Sequence, residues 1–162
     1  MIDPGDLLRY VIRPTLNAMD MGGLAAEQLL LGTAIHESTV DGDTRLHQVR
    51  GPALGLYQME PATYQDIWTN WLAYQPVTRR LILKWVPNPT LDHLIFDLRY
   101  ATAMTRCHYR RVPKALPTAG DVEALGIYAK QYYNTPAGKA TAAAYAAAMQ
   151  RAVDAINRAD QQ

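Results

Sequence analysis

Leu24-Ala25-Ala26-Glu27-Gln28-Leu29-Leu30-Leu31-Gly32-Thr33-Ala34-Ile35-His36-Glu37 is the stretch on which the fold turns. Drawn as a helix, residues 24–37 carry apolar side chains on nearly every face, whereas a surface helix carries one apolar stripe. A helix of that kind belongs in the middle of a protein. It predicts a buried central helix with others packed around it.

The flanks read accordingly. Asp3 before Pro4 is an N-cap and first helical residue, with Asp6 in the first turn. The helix they open runs to about Met19, bent at Pro14, and stops before Gly22-Gly23. After the central helix, residues 38–60 hold Gly42, Gly51, Pro52 and Gly55 and two short β-compatible pieces, 46–49 and 56–59. This predicts a small hairpin or irregular lobe. Pro61 opens a helix through Tyr74, and Pro76 another to about Val86. Beyond Pro87-Asn88-Pro89 a long helix is expected over 90–110, with Leu91, Leu94, Ile95 and Leu98 at i, i+3, i+4, i+7 spacing. Val122, Leu125, Ala129 and Tyr132 repeat that period, and a last helix over about 141–158 buries Tyr145, Met149, Val153 and Ile156. No period of the length that marks repeat architectures recurs. The expectation is one domain over residues 1–162, mainly α with an α+β character: a helical bundle around a buried central helix with a small β-hairpin or loop lobe.

Composition agrees with this and narrows the function. The chain has 162 residues, 49% hydrophobic and 19% charged, which suits a single globular domain. A net charge of +1 supplies no basic field of the kind that grips nucleic acid. Cys107, the single cysteine, has no internal disulfide partner and reads as an inert packed thiol within a helix. Residues 1–6 lack a basic n-region followed by an apolar stretch, so they do not read as a signal peptide, and no apolar run is long enough for a membrane span. The protein reads as cytoplasmic by synthesis.

Three places carry candidate chemistry. Glu37 ends the apolar helix on the face of Leu30, Thr33 and Ala34. The negative end of the helix dipole and apolar neighbours both disfavour a carboxylate there, which raises its pKa toward that of a general acid working near neutral pH. The plain alternative is a helix-end glutamate that reaches solvent. The second place is Gly51-Pro52-Ala53-Leu54-Gly55-Leu56-Tyr57-Gln58-Met59-Glu60-Pro61. Gly51 and Gly55 permit a tight turn or a close backbone approach. Gln58 offers a donor and an acceptor to sugar hydroxyl and acetamido groups, and Tyr57 is suited to stack on a pyranose face; a glycine-bearing turn between two strands is the alternative. The third is Tyr132-Tyr133-Asn134-Thr135-Pro136-Ala137-Gly138, where a helix ends in aromatic and amide groups. A C-capping turn with left-handed Asn134 is compatible with the same residues.

In this order, Glu37-Ser38, then Gly51 to Gly55 with Leu56, Gln58 and Pro61, then Tyr133-Asn134 with Gly138, the chain resembles the lytic transglycosylase family related to goose-type lysozyme. The likeness spans roughly residues 24 to 138. It departs from the family pattern at two places: either three residues rather than two separate Gly51 from Gly55 or Ala53 stands where a small residue is expected, and Thr135-Pro136-Ala137 stands between Asn134 and Gly138. The resemblance implies cleavage of the β-1,4 bond between N-acetylmuramic acid and N-acetylglucosamine in peptidoglycan. Glu37 would be the acid/base, Ser38 would help set its carboxyl, and Tyr133 would hydrogen-bond Glu37 or substrate. Gln58 and Asn134 would bind the sugar's N-acetyl and hydroxyl groups, with Gly55 and Tyr57 also at the substrate; the family needs no metal or cofactor.

Hydrolysis by the usual routes takes two carboxylates. Asp41, Asp43 and Glu60 are the nearby candidates, with solvation or turn capping as their alternative, so a one-carboxylate mechanism assisted by the substrate's acetamido group is the leading expectation, and the resemblance implies a 1,6-anhydro product. His36, His47, His93 and His108 lack paired ligand spacing, which argues against a metal site. Residues 108–113 and 132–136 further resemble bacteriophage or prophage structural genes of this family. That implies an enzyme carried in the virion, in its tail or among ejected proteins, with other virion proteins and peptidoglycan glycan strands as partners. A virion structural component that keeps the fold without activity, and a plain helical interaction module, are the rival classes.

Overall fold

The computed structural model describes residues 2–134 and 138–161. The Asp3 carboxylate accepts from the Asp6 amide and starts α1, Pro4–Leu7. The chain continues as a π turn, Leu8–Ile12, into α2, Arg13–Ala18. Pro14 has no N–H to give the Tyr10 carbonyl, and the wider π turn, with the Arg13 amide donating to the Leu8 carbonyl, falls just before it.

The central stretch forms α3, Leu24–Ser38, and 11 of its 15 residues are buried, so it is the bundle's core element. Near its start Glu27 accepts from Arg13 Nε at 2.8 Å and Nη2 at 2.9 Å, a bidentate clamp tying α2 to α3. Gln28 accepts from the Gly120 amide at 2.8 Å, so this buried amide oxygen has its partner.

The lobe that follows differs from the sequence expectation. The hairpin comes earlier, as β1, Thr39–Val40, paired antiparallel with β2, Asp43–Thr44. Asp41 and Gly42 both take positive φ (51° and 85°), the geometry a two-residue hairpin turn demands, and this signal outweighs the apolar content of the later pieces. Residues 46–49 and 56–59 contribute isolated bridges only, His47 to Leu54 and Leu54 to Met59. Residues 55–58 form a turn closed by reciprocal Leu54 and Met59 backbone bonds.

Pro61 opens α4, Pro61–Asn70, followed by a 3-10 turn at Leu72–Tyr74, and Pro76 opens α5, Pro76–Trp85. The single helix expected over 90–110 is two. A short α6, His93–Phe96, ends at Asp97, whose carboxylate accepts from the Tyr100 amide and N-caps α7, Leu98–Arg110. Of the expected stripe only Leu94 is fully buried. α8, Val122–Ala129, runs on through a π turn, Lys130–Asn134, and α9, Ala142–Asp160, closes the bundle behind its Thr141 cap. α9 lies across α3 and α8, and at Gly126 the α8 and α9 backbones come so close that a Cβ would sit 2.7 Å from the Ala146 amide nitrogen.

Two apolar clusters share the interior. One gathers α3, α9 and the first helices; the other gathers Ile67, Leu72, Ile82, Met104 and Cys107 between α4, α5 and α7. The chain is 65% helix with one two-stranded sheet among the described residues, a mainly helical fold. None of the described helices is long and apolar enough to cross a membrane.

Candidate functional site

A cleft of about 560 Å³ opens between the end of α3, the lobe and the α8 π turn. Glu37, Gln58, Tyr133 and Asn134, which lie in three separate stretches of sequence, all line it, together with Arg45, His47, Glu60 and His108.

Glu37 is the acidic group at the end of the buried helix. Burial pushes its carboxyl up to about 7 from an ordinary value of 4.5, partly opposed by a hydrogen bond from the Tyr145 hydroxyl. Tyr145 sits in the first turn and a half of α9, 108 residues away, with its ring fully buried. His36 stacks on that ring at 3.9 Å between centroids, fixing the phenol beneath the carboxyl. Tyr109 and Tyr133 are held protonated, first by burial and in part by the Glu37 charge, so Glu37 is surrounded by neutral phenols. A carboxyl in such a place can give and take a proton near pH 7.

Tyr133 does not bond to Glu37. Its hydroxyl donates to the Tyr57 carbonyl at 2.6 Å, joining the α8 π turn to the lobe, while its ring stacks on Tyr109 at 5.3 Å. The bond to Glu37 comes instead from Tyr145. His108, buried behind Tyr133 at 5.0 Å, accepts at Nδ1 from Arg111 Nη2 at 2.9 Å. Burial and then the Arg111 charge lower it to about 4, so it lines the cleft as a neutral ring at pH 7.

Gln58 takes a positive φ of 47°, and its Nε2 donates to the Gly55 carbonyl at 2.8 Å, which leaves Oε1 as an acceptor. Asn134 is used the opposite way. Its Oδ1 accepts from Lys130 Nζ at 2.7 Å, which leaves the amide N–H groups as donors. The cleft lining therefore offers one amide acceptor and one amide donor pair, the complement of an acetamido group. The C-capping reading of this region extends over Thr135, Pro136 and Ala137, which lie outside the described residues.

Three expected site residues stand elsewhere. Tyr57 is 1% exposed, with its hydroxyl 2.9 Å from Thr102 Oγ1, so its ring is core and only its carbonyl serves the site. Ser38 is buried, and its hydroxyl donates back to the Ala34 carbonyl at 2.7 Å, closing the end of α3 rather than orienting Glu37. Gly55 (φ +76°) packs where a Cβ would lie 1.8 Å from the Leu94 carbonyl oxygen, so its role is to let the lobe turn sit against α6. Of the second-carboxylate candidates, Asp41 and Asp43 are exposed in the hairpin, and Glu60 alone lines the cleft. Among the described residues no group of His, Cys, Asp and Glu side chains is placed to hold a metal ion.

The sequence did not mark His108 as a cleft group or Tyr145 as the partner of Glu37. Tyr145 was legible only as a core position of the last helix, and nothing local ties it to Glu37. His108 carried a signal in its Arg111 neighbour at i+3, a pair that meets on one helix face. Comparison of the chain with family models, curated proteins and solved structures finds no match.

Proposed function

We propose that this chain is a peptidoglycan-cleaving glycosidase of the lysozyme-like, lytic-transglycosylase type, with Glu37 as acid and then base. One observation carries the reading: a carboxyl held near pH 7 by burial, bonded by Tyr145, at the wall of a cleft that also presents the amides of Gln58 and Asn134. Protonated Glu37 gives its proton to the glycosidic oxygen as the bond to the muramoyl C1 breaks. The muramoyl O6 then closes on C1, Glu37 takes the O6 proton, and the acid form is restored. The products are a 1,6-anhydro sugar and the released N-acetylglucosamine end, with no net proton consumed. The Tyr145 hydroxyl stabilises the carboxylate between the two transfers.

In this proposal a phage particle delivers the enzyme for local wall opening during genome entry, and other virion proteins hold it in place. The sequence resemblance of residues 108–113 and 132–136 is the support for that step. The test is release of dye from labelled sacculi by wild type and Glu37→Gln between pH 5 and 8.5. Wild-type activity should fall above an inflection near 7, and the variant should lose about 10²–10⁴-fold, the usual contribution of a general acid. A variant as active as wild type removes Glu37 from the chemistry. Two folded but inactive proteins favour the virion structural component.

A further inference from the structure

The end of α7 carries a second polar pocket, which shares no lining residue with the cleft. Arg106 and Arg110 are one helical turn apart, so their side chains share a face, and His108, which lines the cleft, lies between them on the other side of the helix. The pocket holds about 190 Å³ and is also lined by Lys114, Leu116 and Tyr128. The Tyr128 hydroxyl donates to the Lys114 carbonyl at 3.2 Å and fixes the loop that brings Lys114 over the helix.

Arg106 is the unusual member. It is 6% exposed, its Nε donates to the Met21 carbonyl at 2.9 Å, and no carboxylate among the described residues pairs with it. Its charge is disfavoured by burial and then by Arg110. The chain treats its other buried charge differently, since Glu27 is clamped by both arms of Arg13. A buried guanidinium without a counter-charge, facing a second arginine and a lysine across a small pocket, is a cost that a bound anion removes.

We propose that Arg106, Arg110 and Lys114 form a binding site for a compact dianionic oxyanion of the phosphate or sulfate kind, on the side of α7 away from the cleft. Arg106 supplies the buried, pre-placed donor, and the exposed Arg110 and Lys114 close over the anion. The site is independent of the cleft's chemistry.

The experiment is titration of the full chain with inorganic phosphate at constant ionic strength, read by calorimetry and thermal shift. One site per chain and a rise in Tm with phosphate concentration are expected. Arg110→Gln with Lys114→Gln, both exposed positions that leave the core intact, should weaken binding about 100-fold, about tenfold for each charge-assisted contact. Glycerol phosphate should bind like phosphate, and singly charged dimethyl phosphate at least tenfold more weakly. Arg45→Gln, in the cleft, should change nothing. The proposal is overturned if phosphate stabilises no more than sodium chloride at equal ionic strength, if the double variant binds as wild type does, if the diester binds equally, or if Arg45→Gln abolishes binding.

Discussion

Replacing Glu37 by Gln should stabilise the protein, and by an amount that depends on pH. The wild-type carboxyl titrates at about 7 when folded and near its ordinary 4.5 when unfolded. Between those values the folded state holds a proton that the unfolded state has released, so wild-type stability declines as pH rises from 4.5 to 7 and is level above that. Each tenfold change in acidity is worth about 1.4 kcal/mol, so the whole displacement corresponds to about 3 kcal/mol. The amide of Gln keeps the shape and still accepts from Tyr145, but never ionises. Glu37→Gln should therefore match wild type at pH 4 and exceed it by up to about 3 kcal/mol at pH 8. For a chain of this length that is roughly 6–12 °C in Tm. Thermal unfolding of both proteins by circular dichroism across pH 4 to 8.5 measures it. A Tm difference that stays constant across that range would refute the claim that Glu37 is a desolvated acid.

Further expectations follow from the same geometry. Tyr145→Phe removes the one hydrogen bond that favours the charged form, so the alkaline limb of the rate profile should move to higher pH and the rate fall about tenfold; an unmoved limb would separate Tyr145 from Glu37. Tyr57→Phe should lower stability by about 1 kcal/mol through its Thr102 bond while leaving glycan binding unchanged, measured by denaturant unfolding and by substrate affinity. Gly55→Ala forces a Cβ into the Leu94 carbonyl at a positive φ and should cost more than about 3 kcal/mol in the same unfolding assay. Asp97→Ala, which removes the α7 cap, should cost about 1 kcal/mol.

Much of this frame was legible because its signals are local. The all-round apolar character of residues 24–37 put α3 at the centre, and Asp3-Pro4, Pro61 and Pro76 marked helix starts where the chain has them. What misled was competition between local signals. The apolar stripe through Leu91 and Leu98 ran across Asp97, whose capping bond stops one helix and starts the next. The β-compatible pieces after residue 45 pointed to a later hairpin, whereas in the fold the Asp41-Gly42 turn decides where the hairpin sits. In the cleft, residue types were readable but their direction was not. Tyr57 points into the core toward Thr102, Ser38 bonds back to its own helix, and Tyr133 reaches the lobe rather than Glu37. The Tyr145 bond joins residues 108 apart, and only the packing of α9 across α3 makes it.

The most direct measurement is the identity of the ends left on the glycan. Purified wild type and Glu37→Gln would be incubated with peptidoglycan sacculi and the released muropeptides weighed by mass spectrometry. Wild type should release 1,6-anhydro muropeptides and the variant none. Reducing ends from wild type would contradict the one-carboxylate mechanism and move attention to Glu60, the other acid on the cleft wall; products from the variant, or none from a folded wild type, would contradict the central claim itself.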